Sequence, residues 1–190
     1  MHKVFFTNRK KVFDFAKVIK NLEKNSAIII REYDLPKQDR KDFAKKIFAL
    51  AKSRGDLKIL IGKDLDLAHE LKADGVHFSD FDKLPLQIRQ KNFRKKFILS
   101  LACHSFKSLL RAQKLKPDMI FISPIFPTSS HIGAKIFGVR NLAKIAVQNK
   151  KLKYSLGNIY ALGGITKENV GMIKKLPLRG FGAIDYFSNL

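Results

Sequence analysis

The sequence has one cysteine, Cys103, no tryptophan, six prolines and eleven glycines in 190 residues. A lone thiol cannot close an internal disulfide or build a cysteine zinc site by itself, so the fold needs no oxidising compartment. Glycine and proline at this frequency exclude collagen-like and low-complexity chains. Long hydrophobic runs are missing as well. Val4-Phe5-Phe6 ends at Asn8-Arg9-Lys10-Lys11, too short for the core of a secretory signal. Nothing approaches the ~20 apolar residues of a membrane span, so a cytoplasmic protein is the expectation. Acidic residues are scarce: 16 Asp+Glu face 38 Lys+Arg, a net charge of +22. That excess admits nucleic acid, an anionic membrane or phosphorylated small molecules as partners and is silent about fold.

What the chain does have is 45% apolar and 28% charged residues, the balance of a globular protein with one compact domain over 1–190. Short apolar, β-rich runs recur at even intervals at 4–7, 27–30, 59–61, 75–78, 97–102, 119–122, 159–162 and 181–184. The run at 27–30, Ala-Ile-Ile-Ile, is continuous rather than alternating, as a strand covered on both faces is. Between them lie stretches with helical spacing. Val12, Phe15, Ala16, Ile19 and Leu22 share one face, and Phe43, Ala44, Ile47, Leu50 and Ala51 form a stripe up to Gly55. Further helices are predicted over 64–73, 85–93, 105–115, 141–148 and 166–176, the last capped by Thr166, with a Pro-, Ser- and Gly-rich loop at 123–138.

Eight β units and seven intervening helices predict an α/β fold, a closed (β/α)8 TIM barrel lacking the final helix, with an open doubly wound sheet as runner-up. The length falls just under the usual range of such barrels, which begins at about 200 residues, and tight connections accommodate the difference. The missing helix leaves a gap in the outer ring or a surface for a partner chain, a homo-oligomer included.

In such a barrel the chemistry sits where strands run into the following loops. Three of the five histidines are placed there: His77 after the fourth strand, His104 after the fifth and His131 in the loop after the sixth. A single histidine is more often structural, but three converging on one face suit proton transfer near neutral pH. His2 and His69 lie outside the pattern. Gly163-Gly164, after the seventh strand, lets backbone approach an oxyanion closely before a helix start, and the loops after strands seven and eight often form a phosphate cup.

Asp74-Gly75-Val76-His77, Pro124-Ile125-Phe126-Pro127-Thr128, Gly138-Val139 and Ala161-Leu162-Gly163-Gly164-Ile165-Thr166 followed by Asn169 together resemble the thiamine phosphate synthase family, which includes the related thiazole tautomerases. The resemblance runs from Arg31 to Asp185 in order and spacing. It implies a (β/α)8 barrel in thiamine biosynthesis that joins hydroxymethylpyrimidine diphosphate to a thiazole phosphate, expelling pyrophosphate with Mg²⁺ assistance through a pyrimidine cation. By the same resemblance Arg31 holds the diphosphate, His77 lies at the pyrimidine end, and Asp82 binds magnesium. Thr128 and Ser130 meet the thiazole phosphate, with Gly163, Gly164 and Ile184 in the backbone cup, and His104 stands where the tautomerases place their proton-transferring residue.

The chain also departs from that pattern. Gly62-Lys63 replaces an Asn-Asp pair, so a cation stands where the second magnesium carboxylate is expected. Ala102 replaces a serine, Tyr33 and His131 replace lysines, and Asp185 replaces a small hydroxyl at the phosphate cup. Three readings follow: a synthase-type transferase using phosphorylated substrates and Mg²⁺; a metal-free thiazole tautomerase working through His104; and an inactive barrel serving as a binding protein. Nucleic acid gains little support, because the basic residues fall in pairs such as Lys45-Lys46 and Lys174-Lys175 without aromatic interleaving. Much of the excess, Lys20, Lys24, Lys52, Arg54, Lys58 and Lys72 among it, lies where helices end and strands begin, the barrel face opposite the chemistry, and there it complements helix dipoles.

Overall fold

In a computed structural model, which describes residues 1–128, 133, 135–151 and 157–188, the β-branched and aromatic runs pair as eight parallel strands. They are β1 (His2–Phe6), β2 (Ala27–Ile30), β3 (Lys58–Gly62), β4 (Gly75–Ser79), β5 (Ile98–Cys103), β6 (Met119–Ile122), β7 (Asn158–Leu162) and β8 (Gly180–Ala183). Each pairs with the next, and β8 returns to β1 with Val4 opposite Gly182, closing the barrel. Between them stand α1 (Phe15–Asn21), α2 (Lys37–Lys52), α3 (Leu65–Glu70), α4 (Lys91–Lys96), α5 (Phe106–Leu115), α6 (Gly138–Lys151) and α7 (Gly171–Lys174). The closed barrel is therefore the fold, and the open sheet is not. No helix among the described residues is long and apolar enough to cross a membrane.

Strand alternation divides the core in two. Val4, Phe6, Ile29, Leu60, Phe121 and Tyr160 point into the barrel, while Phe5, Ile28, Ile30, Ile59 and Ile61 point outward beneath the helices. Two glycines in β8 make the aromatic filling possible. A Cβ at Gly182 would meet the Phe121 ring at 2.8 Å, and one at Gly180 the Tyr160 ring at 2.7 Å. Phe6 and Phe121 then meet edge to face at 5.1 Å.

The shorter elements differ from the sequence expectation. The helix predicted at 85–93 is a 3-10 turn, Leu86–Arg89, followed by the six-residue α4. The helix predicted from Thr166 begins only at Gly171, after Val170 as N-cap, and has four residues, so Thr166 does not cap it. After β8 the chain makes a turn through Ser188, with no regular eighth helix among the described residues.

Candidate active site

The ends of β1 to β8 open onto one pocket, lined by Arg31, Tyr33, Lys63, His77, Phe81, His104, Thr128, Gly163, Gly164, Ile184 and Asp185 among others. It thus brings together most of the candidate residues singled out in the sequence. Ser130 and His131 lie outside the described residues. Asp82 is not among the lining residues but is tied to one of them, Lys63, by an ion pair.

His77 lies within β4 rather than after it, and its ring forms part of the pocket floor. It is 5% exposed, with Nδ1 2.8 Å from Ser100 Oγ and its ring edge-on to Phe6 at 5.2 Å. Burial, and then the Arg31 guanidinium, push its pKa down to about 3, so the imidazole is neutral at neutral pH.

His104 follows β5 and is held by a residue that sequence reasoning missed. Asp80 Oδ1 lies 2.6 Å from His104 Nδ1, and its Oδ2 accepts the His104 amide at 3.0 Å. Burial works to raise the Asp80 pKa, but the bonds from His104 and from Ser108 outweigh it and bring the value down to about 2. An ionised carboxylate only accepts, so Nδ1 carries the proton of this pair. Phe81 covers the imidazole at 5.2 Å between ring centres. The available signal was position: Asp80 directly follows β4, the strand-end place that carries chemistry.

The wall after β2 and β3 is cationic. Lys63, Arg40 and Arg31 approach the Tyr33 ring at 4.6, 5.4 and 5.7 Å. Arg40 is structural: it donates to the Arg31 carbonyl at 2.9 Å, to the Gly62 carbonyl and to Asp64 at 3.2 Å. Tyr33 packs its hydroxyl against Gly62, where any Cβ would strike it. That desolvation, against the pull of Arg31 and Arg40, raises the phenol pKa to about 12.

The loop after β7 forms the third wall. Gly163 and Gly164 take φ of +92 and +66, a left-handed conformation that glycine permits. The Leu162 and Gly163 carbonyls accept the Ile125 and Phe126 amides at 2.9 and 3.1 Å, zipping this loop to the one after β6. Asn169 pins it by donating to the Gly164 carbonyl at 2.7 Å and accepting the Thr166 amide at 2.9 Å. With α7 only four residues long, the cup is a feature of this loop, not of a helix dipole. Asp185 faces the pocket, and Lys11 Nζ sits 2.6 Å from its Oδ1 and offsets its charge.

The donor set does not fit a magnesium ion held by protein carboxylates. Asp82 Oδ1 is bound to Lys63 Nζ at 2.8 Å and Oδ2 accepts the Ser79 amide at 2.7 Å. Against burial, which favours the neutral acid, these bonds lower its pKa. Magnesium at a phosphate site takes one or two carboxylates beside substrate oxygens, and Asp82, the carboxylate expected for it, is already paired with an ammonium where a second carboxylate would stand.

Residues 4–185 match the family described as thiamine monophosphate synthase. A relative in Aquifex aeolicus (strain VF5) is 33% identical over 184 residues, covering 95% of this chain and 94% of its own length. A thiamine-phosphate synthase of Fusobacterium nucleatum is 30% identical over 169 residues, covering 88% of this chain and 78% of its own. Among solved structures, a thiamine phosphate pyrophosphorylase from Pyrococcus furiosus superposes with a TM-score of 0.75 at 22% identity, covering 96% of this chain and 85% of that one.

Proposed function

Since the chain belongs to the thiamine monophosphate synthase family, we propose that this pocket joins a hydroxymethylpyrimidine, supplied as its diphosphate, to a thiazole phosphate. The synthase name of the Fusobacterium relative favours this transfer over a tautomerase or a purely binding barrel. The observation that carries it is the polarity of the pocket, with a cationic wall of Arg31 and Lys63 facing a glycine cup across a floor of neutral His77.

In the reaction the bond between the pyrimidine methylene and the diphosphate oxygen breaks, and its electron pair leaves with pyrophosphate. The lone pair of the thiazole nitrogen makes the new carbon–nitrogen bond. Arg31 presents a planar fork to the oxygens on which negative charge accumulates. The neutral imidazole of His77 adds no positive charge beside a developing pyrimidine cation. His104, oriented by Asp80 and covered by Phe81, flanks the ring. The Gly163-Gly164 loop and Thr128 hold the thiazole phosphate so that the reacting atoms meet in line.

Purified protein given both substrates, with and without Mg²⁺, is expected to form thiamine phosphate and pyrophosphate. Arg31→Met should lower kcat/KM by about 10²–10³. No product under conditions in which an authentic synthase turns over would overturn the reading.

A further inference from the structure

Lys63 is placed by an uncommon backbone. Immediately after β3 it takes φ +59, and its amide donates to the His77 carbonyl at 2.8 Å. A left-handed lysine is costly unless its surroundings over-determine it, and here they do. The ammonium rests 4.6 Å above the Tyr33 ring and 2.8 Å from Asp82 Oδ1. Asp82 is in turn fixed by the Ser79 amide. An ammonium has three donors and the bond to Asp82 uses one, so a held lysine still has hydrogen bonds to offer a ligand in the pocket it lines.

Resting on the transferase reading above, we propose that Lys63 supplies, as a cation tethered to the protein, the positive charge that a metal ion would otherwise bring to the leaving diphosphate. Asp82 then serves as a positioning residue for Lys63. Together with Arg31, Lys63 Nζ donates to the diphosphate oxygens as the methylene–oxygen bond breaks and its electron pair passes to pyrophosphate. The thiazole nitrogen supplies the pair for the new bond, and no proton, oxidant or reductant is consumed. Diphosphate binding and transfer then proceed without Mg²⁺.

The test is calorimetric titration of the full chain with inorganic pyrophosphate in EDTA, beside thiamine phosphate formation in EDTA and in Mg²⁺. Pyrophosphate should bind in EDTA, and added Mg²⁺ should tighten it by less than about threefold, a change of under one kcal/mol. Lys63→Asn removes the charge while keeping a residue type that tolerates the left-handed turn, and should weaken metal-free binding by about 10–100-fold. Lys63→Asp creates a second carboxylate beside Asp82 and should lose metal-free binding but regain it with Mg²⁺, a change that mere loss of structure does not produce. Wild-type binding that requires Mg²⁺, or unaltered binding by Lys63→Asn, overturns the proposal. If thiamine phosphate forms only with Mg²⁺, the tethered-cation proposal falls and the transferase reading stands. Metal-free pyrophosphate binding with no thiamine phosphate under either condition has the opposite meaning: the transferase reading fails and a lysine-held diphosphate site remains.

Discussion

An imidazole closed in by Phe6, Phe121 and Ser100 makes the molecule sensitive to acid. His77 titrates at about 3 in the folded chain, because burial and Arg31 disfavour its charged form, against about 6.5 when unfolded. Between those values the unfolded state binds more protons, so stability rises with pH through this window and is lost as pH falls from about 6.5. His2, lowered chiefly by burial, acts in the same direction. Asp80, at about 2, acts lower: its contribution is present above its unfolded pKa of about 3.9 and disappears toward pH 2. Unfolding midpoints of wild type and His77→Gln should therefore converge as pH falls from 6.5 to 4, the variant giving the shallower slope; parallel curves would show that His77 is not held neutral. Gly164 fails for a different reason when altered. An alanine Cβ at φ +66 would be driven into the Pro127 carbonyl and lie 2.8 Å from Phe126 Cβ. Gly164→Ala should cost about 1–3 kcal/mol of stability, and in steady-state kinetics raise KM for the thiazole phosphate more than for the pyrimidine substrate. Both residues could be picked out in the sequence, since strand ends and paired glycines are local signals. The partnership of Asp80 with His104 could not, because it exists only once Ser79 and Ala102 pair across neighbouring strands.

At the scale of elements, one arginine joins three of them. Arg54 Nη1 donates to the carbonyls of Ile19, Lys20 and Leu22 at 2.9, 3.1 and 2.6 Å, satisfying the end of α1. Its Nε and Nη2 grip Asp56 at 3.0 and 2.7 Å, fixing the turn from α2 into β3. Arg54→Met keeps the stem and removes these bonds. It should lower stability by about 1–3 kcal/mol in urea unfolding, while pyrophosphate affinity stays as in wild type; equal stability would mean the bonds are replaced by water without loss. That cations complement helix ends on this face was legible from their positions in the sequence. So were the strands and α2, α5 and α6, whose periods run long enough to register. The 3-10 turn, α4 and the start of α7 were misread because such short elements take much of their shape from tertiary contacts, which periodicity cannot report, although α3, also six residues, falls within the expected 64–73.

Across the whole molecule, closure of the barrel depends on what covers the seam between β8 and β1. There the described residues supply a pair of aromatic rings. Tyr186 packs on Phe181 at 4.9 Å between ring centres, and Phe187 on Phe5 at 5.4 Å, the two stacking edge to face at 5.1 Å. Phe187 is 1% exposed, so this short turn buries the outward faces of both strands. Sequence periodicity does not report this packing, since two adjacent aromatics carry no period. The seam also bears on function, because Ile184 and Asp185, which line the pocket, lie between β8 and these rings. Phe187→Ala should cost about 3–5 kcal/mol, the range for emptying a buried phenylalanine site. The urea midpoint should fall while the m-value holds, since the surface exposed on unfolding barely changes. A loss under about 1 kcal/mol would place the ring outside the cooperative core. If the midpoint falls as expected and pyrophosphate affinity is retained, the seam holds the barrel together without setting the cationic wall. That outcome is expected, because Arg31 and Lys63 follow β2 and β3, on strands that do not border the seam.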